Sequence, residues 1–426
     1  MIKKTFAYCI DLLNDIVFND IPFAIATKKH LKNSKMSLED KKIISALVGC
    51  ELRHHLVFNE IIKNYFEELE AELSNVILFA LANNLFIKHF NDEEVIDYVH
   101  SLFVSKLKGF TREEIKEFFN KCSDTSKLIP EKYKENSKEF LSLRFNTPAW
   151  LIKMWKNSFG ENLTYKILKA NTKAPLNTVR VNTNLISTEE VLQKENVYKK
   201  SFLDDVVIYQ GKLPFNKQKY LESNKVFPLK LGYKYLTNKL DIDSQKGVAI
   251  YQGTSSNFYL EVALRGGFNM PIDLLLESYQ DYYLAKSNIK NFNISNLRFY
   301  HCEPTSIFSC VSKKVDLFFV LPKSSNFELL RNTPDYFLRF DRFTFDTLIK
   351  NQYFALEECS KLIEDDGKLV YIIPTLSVKE GRGNIALFLQ NHKDFTLVED
   401  RQLFPFDPYD SSLYYAILRK VPSNND

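Results

Sequence analysis

The sequence predicts an α + α/β protein, in which an all-helical region precedes a doubly wound, Rossmann-like sheet. Three observations lead to this class. Apolar residues recur every three or four positions through the first third of the chain, which is the period of amphipathic helices. From residue 248 onward, short apolar runs alternate with stretches of helical length. With 426 residues the chain is also too long for one domain of ordinary size, so the two patterns belong to separate domains.

The helical region contains a well-marked helix start. Ser37 is placed as an N-cap, and Asp40 lies at the third helical position, where an acidic residue favours a helix. Apolar residues at spacings of three and four continue from there toward residue 69. The stretch 122–142 is polar and lacks such a stripe, which marks a boundary. We therefore expect an all-helical domain over residues 1–135.

The last part of the chain carries the α/β pattern. Helical stretches are predicted at 279–293 and 343–364. The predicted strands are 248–252, 272–277, 297–302, 315–321, 368–374 and 413–418. Continuous apolar strands that alternate with helices indicate a parallel sheet buried on both faces. Ligands of such sheets bind at the carboxyl ends of the strands, so these ends, within a domain over residues 236–426, are where a site is expected.

Composition excludes several classes of protein. The chain has only 12 glycines and contains neither a G-x-G-x-x-G nor a G-x-x-x-x-G-K-[ST] string, which argues against a dinucleotide dehydrogenase and a P-loop NTPase. The 57 Lys and Arg residues are interspersed with 53 Asp and Glu residues. The resulting net charge of +4 is that of an ordinary solvated surface, so local patches must decide whether nucleic acid binds.

Cysteine spacing and hydropathy indicate which metal sites and which cellular compartment to expect. The six cysteines are scattered and include no C-x-x-C pair, which argues against a disulfide framework and a zinc site. His301, Cys302 and Glu303 are adjacent on a predicted strand and point to alternating faces, so we expect no metal there. The longest apolar run, 76–82, is too short to span a membrane. A soluble, cytoplasmic protein with no membrane partner is expected.

The segment 146–184 carries the strongest local signal. Two helices, one entered through Pro148 and one from Glu161, are followed by a β-like run at 178–182. Both tryptophans and several lysines, including Lys153 and Lys156, lie in this segment. Aromatic rings interleaved with basic side chains suit RNA, whose bases stack and whose phosphates pair with cations. Two packed helices with solvated lysines remain the alternative.

The same segment resembles the RsmB/Sun family of 16S rRNA cytosine-C5 methyltransferases. The family reads H-P-x-W-L-V-x-R-W, then F-G, then A-N-x-x-P-x-x-x-R-V-N. The matching residues here are Pro148, Trp150, Leu151, Trp155, Phe159, Gly160, Ala170, Asn171, Pro175, Arg180, Val181 and Asn182. Asp40, Gly49 and Arg53 are similar to a pattern of the NusB-like domain that precedes this segment in the family.

The resemblance implies a three-domain chain that contacts RNA. It implies a NusB-like RNA-binding domain over 1–135, an RNA-recognition subdomain over 136–235 and an S-adenosylmethionine-dependent methyltransferase-like domain over 236–426. RNA contacts are expected at Lys153, Lys156, Arg180, Asn182 and Arg53. The expected partner is RNA, in particular ribosomal RNA, while no protein partner is indicated.

The family's catalytic residues have no counterpart in this sequence. In the family a cysteine thiolate adds to C6 of cytosine and activates C5, a second cysteine assists release of the enzyme, and an acid holds the ring. The nucleophile's position is Leu376, the second cysteine's is Lys323 and the acid's is Val320. Cys302, at the end of the third strand, and Cys310 are the thiols that would have to substitute.

The cofactor motifs are partly kept. The family's loop after the first strand is rich in glycine, and here Gly253 is the glycine that remains. Glu277 stands where a carboxylate accepts the ribose hydroxyls, and Glu303 stands near the adenine side. S-adenosyl-L-methionine is therefore the cofactor that the resemblance implies, although the reduced loop argues against its binding.

Three functions follow from these observations. The first is an RNA-binding protein that has lost cytosine methylation, a pseudoenzyme. The second is a divergent but active S-adenosylmethionine-dependent rRNA cytosine-C5 methyltransferase, which Glu277 supports. The third is a NusB-like transcription or assembly module that works through the helical region.

Overall fold

A computed structural model describes residues 1–32, 34–66, 68–106, 109–194, 197–212, 215–311 and 313–422. The chain divides into two compact units, which are described separately below. The helical unit comprises Met1–Thr172 and Leu329–Asp341. The sheet unit comprises Lys173–Glu328 and Arg342–Asp426.

Four helices of the helical unit have N-termini capped by side chains. Its helices are α1 (Ile2–Phe18), α2 (Phe23–Leu31), α3 (Leu38–Tyr65), α4 (Ala71–Ala82), α5 (Asp92–Ser105), α6 (Arg112–Cys122), α7 (Lys138–Phe145) and α8 (Ala149–Asn171), with α15 (Tyr336–Arg339) from the second segment. The Ser37 hydroxyl accepts a hydrogen bond of 3.0 Å from the backbone N–H of Asp40, as the sequence predicts. Thr111 and Glu114 form a reciprocal capping box at α6.

Aromatic residues fill the core of the helical unit. Phe6, Phe58, Phe79 and Phe103 are fully buried, each from a different helix. Phe6 and Phe79 lie with their ring centroids 6.2 Å apart, in the range where aromatic pairs attract. The apolar stripe that predicts these helices is thus the surface on which they pack, and the predicted helical region is confirmed.

Glycine breaks α8 where the sequence predicts a new helix. Gly160 has φ +78° and ψ 171°, a conformation that side-chain-bearing residues rarely adopt, so the helix bends between its two halves. Asn146, with φ +46°, ends α7. Its side-chain amide donates to the Leu52 carbonyl at 2.8 Å and accepts from the Leu56 N–H at 3.0 Å, which fastens this turn to α3.

The sheet unit contains a small antiparallel sheet and a large mixed sheet. The small sheet has the order β2-β3-β1-β4, formed by β1 (Thr178–Val181), β2 (Tyr198–Lys200), β3 (Val206–Tyr209) and β4 (Val226–Pro228). Helices α9 (Thr188–Lys194), α10 (Lys219–Glu222) and α11 (Leu231–Thr237) accompany it. Valines and tyrosines from its strands form a core of their own.

The large sheet has seven strands in the order β10-β11-β9-β8-β5-β6-β7. They are β5 (Val248–Gln252), β6 (Ile272–Leu276), β7 (Leu297–His301), β8 (Val315–Leu321), β9 (Ile363–Ile373), β10 (Phe395–Leu403) and β11 (Leu413–Lys420). Helices α12 (Phe258–Gly266), α13 (Tyr279–Asn288), α14 (Ile307–Cys310), α16 (Phe345–Ser360) and α17 (Asn384–Asn391) connect or follow them. Strands β5 to β9 are parallel, and β11 pairs antiparallel with β9 and β10.

This sheet confirms the predicted α/β class. Two separate apolar cores cover its two faces, as expected of continuous apolar strands. Strand order reverses between β5 and β8, so the crevice at their carboxyl ends is the place where such folds bind ligands. Among the described residues, no helix combines the length and the apolar character needed to cross a bilayer. The division into three domains at 135 and 235 stays a prediction.

Candidate cofactor crevice and nucleic-acid contacts

The predicted cofactor residues Gly253 and Glu277 come together at the switch point of the sheet. Gly253 follows β5 and Glu277 follows β6, two neighbouring parallel strands. Lys323, two residues after β8, reaches the same point. The Gly253 N–H donates to the Leu321 carbonyl at 2.8 Å, which holds the loop after β5 against the end of β8.

The Glu277 carboxylate has partners at both oxygens. The Lys323 ammonium lies 2.5 Å from Oε1, and the Tyr251 hydroxyl donates to Oε2 at 2.9 Å. The Glu277 side chain is only 9% exposed, whereas that of Lys323 is 57% exposed. Burial raises the pKa of Tyr251 far above its ordinary value, with a further contribution from Glu277, so this hydroxyl stays protonated and acts as a donor.

The space beside Gly253 is filled by the chain itself. A Cβ placed on Gly253 would collide with the Glu277 carboxylate and would lie 2.7 Å from the backbone nitrogen of Lys323. Glycine is required here because of this approach, but the neighbour it admits is protein. Both Glu277 oxygens are also engaged by Lys323 and Tyr251, so this arrangement does not fit a carboxylate open to the ribose hydroxyls of S-adenosylmethionine.

Glu303 follows β7, the strand at the edge of the sheet, and its charge adds to the rise in the pKa of Tyr251. Its side chain is exposed, and its backbone carbonyl accepts the Ser306 N–H at 3.1 Å. Nearer to Glu277 is His301, whose Nε2 lies 3.1 Å from the Glu277 carbonyl and whose ring stacks on Tyr279 at 3.6 Å. Sequence reasoning missed both Tyr251 and His301 as neighbours of the predicted ribose acid.

Two of the three positions predicted to match the family's catalytic residues are packed as core. Leu376 and Val320 are fully buried, and only Lys323 of the three is accessible. None of the three side chains can act as the nucleophile of a cytosine methyltransferase, since a thiolate or an equivalent is required.

A buried glutamate that sequence reasoning missed joins the two loops that carry these positions. Glu380 is fully buried and is held by donors from three other residues. These are the Ser325 N–H at 2.8 Å, the Ser325 hydroxyl at 2.7 Å, the Thr375 hydroxyl at 2.6 Å and the Gln352 amide at 2.9 Å. Burial raises the pKa of Glu380, while these hydrogen bonds oppose that rise. The one signal in the sequence is a glutamate followed at once by glycine after a strand, at Glu380-Gly381.

The cysteines supply no free thiol at the crevice. Cys302 and Cys310 form a disulfide, with their Cα atoms 6.4 Å apart, although the cysteine spacing argues against a disulfide framework. The described free cysteines, Cys9, Cys50, Cys122 and Cys359, are all buried. Burial raises the pKa of Cys359 well above its ordinary value, the opposite of what an activated nucleophile needs. No group of three or more metal-binding side chains occurs in the part of the chain that the structure describes.

Three of the five predicted RNA-contacting residues lie on the helical unit. Lys153 is exposed on α8. The Lys156 side chain is 20% exposed, and its ammonium donates to the Asn136 carbonyl at 3.0 Å and pairs with Glu161 at 3.2 Å. Arg53 is exposed on α3, where its Nη1 donates to the Gly49 carbonyl at 2.9 Å.

The other two, Arg180 and Asn182, are buried in the sheet unit. Arg180 is 3% exposed, and its Nε lies 2.6 Å from the fully buried Glu261 carboxylate, which also binds the Lys234 ammonium at 2.9 Å. Asn182 donates to the Phe292 carbonyl at 2.9 Å. These side chains hold the small sheet to its surroundings, so an RNA contact at either position stays a prediction that this packing does not favour.

The two tryptophans of the segment 146–184, for which RNA contact is predicted, also differ in exposure. Trp155 is fully buried, and its indole N–H has no hydrogen-bond partner among the described residues. Trp150 is half-buried and stacks on Phe340 with centroids 5.8 Å apart. Trp155 therefore cannot stack on a base in this structure, contrary to what its place among lysines predicts.

Comparison with known proteins agrees with this architecture. Residues 147–195 match the model of the RsmF/B-like methyltransferase, ferredoxin-like domain. Among solved structures, PH0851 covers 98% of this chain and 98% of its own length at 17% identity, with a TM-score of 0.72. NSun6 from Pyrococcus horikoshii with SFG matches at 15% identity over 65% of this chain and 99% of that chain, with a TM-score of 0.57.

A methyltransferase homolog from Pyrococcus horikoshii matches at 15% identity over 68% of this chain and all of its own, with a TM-score of 0.59. No curated protein matches the chain. At these identities the solved structures establish the fold, and the matched segment supplies the link in sequence. The chain therefore resembles the RsmB/Sun family, with the α + α/β methyltransferase fold and an RsmF/B-like segment over residues 147–195.

Proposed function

We propose that this protein binds RNA, ribosomal RNA in particular, and does not transfer a methyl group to cytosine. The RsmF/B-like segment supports an RNA partner, and the helical unit is proposed as the NusB-like part that assists binding. On this proposal the sheet of the methyltransferase fold serves as a scaffold, in the manner of a pseudoenzyme.

The observation that carries this proposal is the ion pair between Lys323 and Glu277. Methylation at C5 needs a thiolate that adds to C6 of cytosine and a bound methyl donor. The Lys323 side chain affects both requirements. Lys323 stands at the second cysteine's position, and its ammonium neutralises the carboxylate that would accept the ribose hydroxyls. Leu376 removes the nucleophile as well.

A divergent, active RNA methyltransferase remains the second candidate because of Glu277. This carboxylate lies at the carboxyl end of β6, where folds of this type hold a ribose. Lys323 is 57% exposed, so its side chain has room to leave Glu277 if a ligand competes for the carboxylate. The two candidates make opposite predictions for the cofactor.

Calorimetry and a methyl-transfer assay separate the two candidates. We expect no binding heat when S-adenosylmethionine or S-adenosylhomocysteine is titrated into the purified full chain, and no radiolabel transferred to ribosomal RNA. A fluorescently labelled fragment of the same RNA should nevertheless bind, as measured by anisotropy. Label incorporated at cytosine would overturn the proposal in favour of the active enzyme.

A substitution tests whether Lys323 is the cause. Lys323→Ala frees Oε1 of Glu277, so cofactor binding should appear or strengthen in calorimetry. Lys246→Ala, at the opposite end of β5, removes an equal charge from the same sheet and should change nothing. If neither variant gains cofactor binding, the ion pair is not what excludes the cofactor, and the filled space beside Gly253 is left as the cause.

A further inference from the structure

A patch of aromatic and basic side chains lies on the helical unit, outside the lysines considered above. It consists of Arg144 and Phe145 at the end of α7 and of Tyr165 and Lys169 on the second half of α8. Tyr165 is 37% exposed, and Arg144 and Lys169 are exposed as well. We call these four residues the Tyr165 platform.

Ring contacts fix the geometry of the platform. The Arg144 guanidinium carbon lies 5.6 Å from the centroid of Phe145 and 6.0 Å from that of Phe140, within cation–π range. Phe145 meets Tyr165 edge to face, with centroids 5.7 Å apart and an interplanar angle of 87°. Phe145 therefore supports both exposed groups, so a flat guanidinium and a flat phenol are held in place at the surface.

The charge of the platform is positive and not neutralised from within. Arg144 and Lys169 have no ion-pair partner among the described residues. Two acids of the same helices, Glu139 and Glu161, are paired with lysines at 3.6 Å and 3.2 Å. Lys169 lies one helical turn after Tyr165, on the same face of α8, so a cation flanks the ring.

We propose that the Tyr165 platform binds single-stranded RNA by stacking unpaired bases on Tyr165 and on the Arg144 guanidinium, with Lys169 pairing with the adjacent phosphate. The chemistry is that of single-strand recognition, in which flat side chains contact the bases while cations follow the backbone. Bases inside a duplex are already stacked and cannot reach these rings. This inference rests on the proposed RNA binding and names the surface and the form of RNA.

The test compares matched variants on single-stranded and duplex RNA. Anisotropy with a labelled 12-nucleotide strand should show binding weakened roughly 5- to 150-fold by Tyr165→Ala, the loss expected for one stacked base. Tyr165→Phe keeps the ring and should bind as the wild type does. Arg144→Lys keeps the charge but loses the flat group, so binding should weaken. Phe18→Ala removes another exposed ring, 77% accessible on α1, and should have no effect.

Photocrosslinking gives a second measurement that does not depend on a variant. RNA containing 4-thiouridine should crosslink to the tryptic peptide that contains Tyr165 in the wild-type protein, and duplex RNA should compete poorly. If wild-type protein binds RNA while Tyr165→Ala and Arg144→Lys bind equally well and no such crosslink forms, the platform is wrong and the proposed function stands. If wild-type protein binds no RNA, both proposals fail.

Discussion

Replacing Arg180 distinguishes a structural role from an RNA contact. A structural role predicts a lower melting temperature with unchanged RNA affinity, and an RNA contact predicts the reverse. Arg180 is 3% exposed and Glu261 is fully buried, with 2.6 Å between the guanidinium Nε and the carboxylate. In Arg180→Met the Glu261 Oε2 loses its partner, while Oε1 keeps Lys234 at 2.9 Å and the Thr237 hydroxyl at 3.1 Å. Because Lys234 remains as a counter-charge, the loss is that of a buried hydrogen bond to a charged group, about 1.5–3 kcal/mol.

The cost converts to a measurable change in the melting temperature. For a unit of roughly 150–250 residues, 1 kcal/mol shifts Tm by about 2–4 °C, so Arg180→Met should lower the Tm of the sheet unit by roughly 3–12 °C. Differential scanning calorimetry of the full chain measures the unfolding transition of this unit. At a temperature where the variant is folded, its RNA affinity should equal that of the wild type.

Lys153→Met is the matched control, because Lys153 is exposed and has no ion-pair partner among the described residues. Its Tm should not change, and if Lys153 contacts a phosphate, RNA binding should weaken and the salt dependence should fall by about one unit of slope. The reasoning is refuted if Arg180→Met melts like the wild type and binds RNA more weakly, since Arg180 would then be an accessible contact residue.

Two further predictions concern buried carboxylates. Glu380→Ala removes the acceptor of the Ser325 N–H and of one Gln352 amide hydrogen, and it leaves the Ser325 and Thr375 hydroxyls only each other. The free energy of unfolding in urea should therefore fall by about 3 kcal/mol, and an unchanged midpoint would contradict the network. Hydrogen bonds from Lys29, His30 and Asn19 hold the pKa of Asp15 well below its ordinary value, so Asp15 contributes stability above about pH 4 that is lost as the pH falls. Asp15→Asn should therefore be less stable than the wild type at pH 7, and thermal unfolding across a pH series should show the two converging in acid; a constant difference would argue against this assignment.

The sequence predicts the strands of the sheet well where they are buried on both faces. Strands β5 and β8 begin and end at the predicted residues. Each is a continuous apolar run bounded by polar residues, and such a run is buried when it lies in the middle of a sheet with both faces covered. β10, at the edge of the sheet, was not predicted. Its segment, FTLVEDRQL, carries charges and buries only its first and last residues, so it lacks the apolar pattern that reveals a central strand.

At the candidate sites, the sequence does not show which charged residues are buried. Arg180 and Lys153 both lie in a segment rich in basic residues, yet one is paired with a buried acid 81 residues away and the other is exposed. The partner of Arg180 is set by tertiary packing, which local spacing does not contain. Glu380 escaped notice for the same reason, since its donors come from two loops and a helix that meet only in the folded chain.

The residues at the crevice are linked by one electrostatic requirement. A carboxylate as buried as that of Glu277 needs a counter-charge or donors, and without them its ionised form would be costly. Ribose hydroxyls would meet that requirement in a cofactor complex, whereas here Lys323 and Tyr251 meet it from within the chain. Since the ammonium and a ribose would occupy the same side of Oε1, the two arrangements exclude each other. On the proposed assignment, lysine at position 323 replaces a thiol on the base side of the crevice and stabilises the Glu277 carboxylate without a cofactor. A single side chain would then account for two of the proposed losses of function.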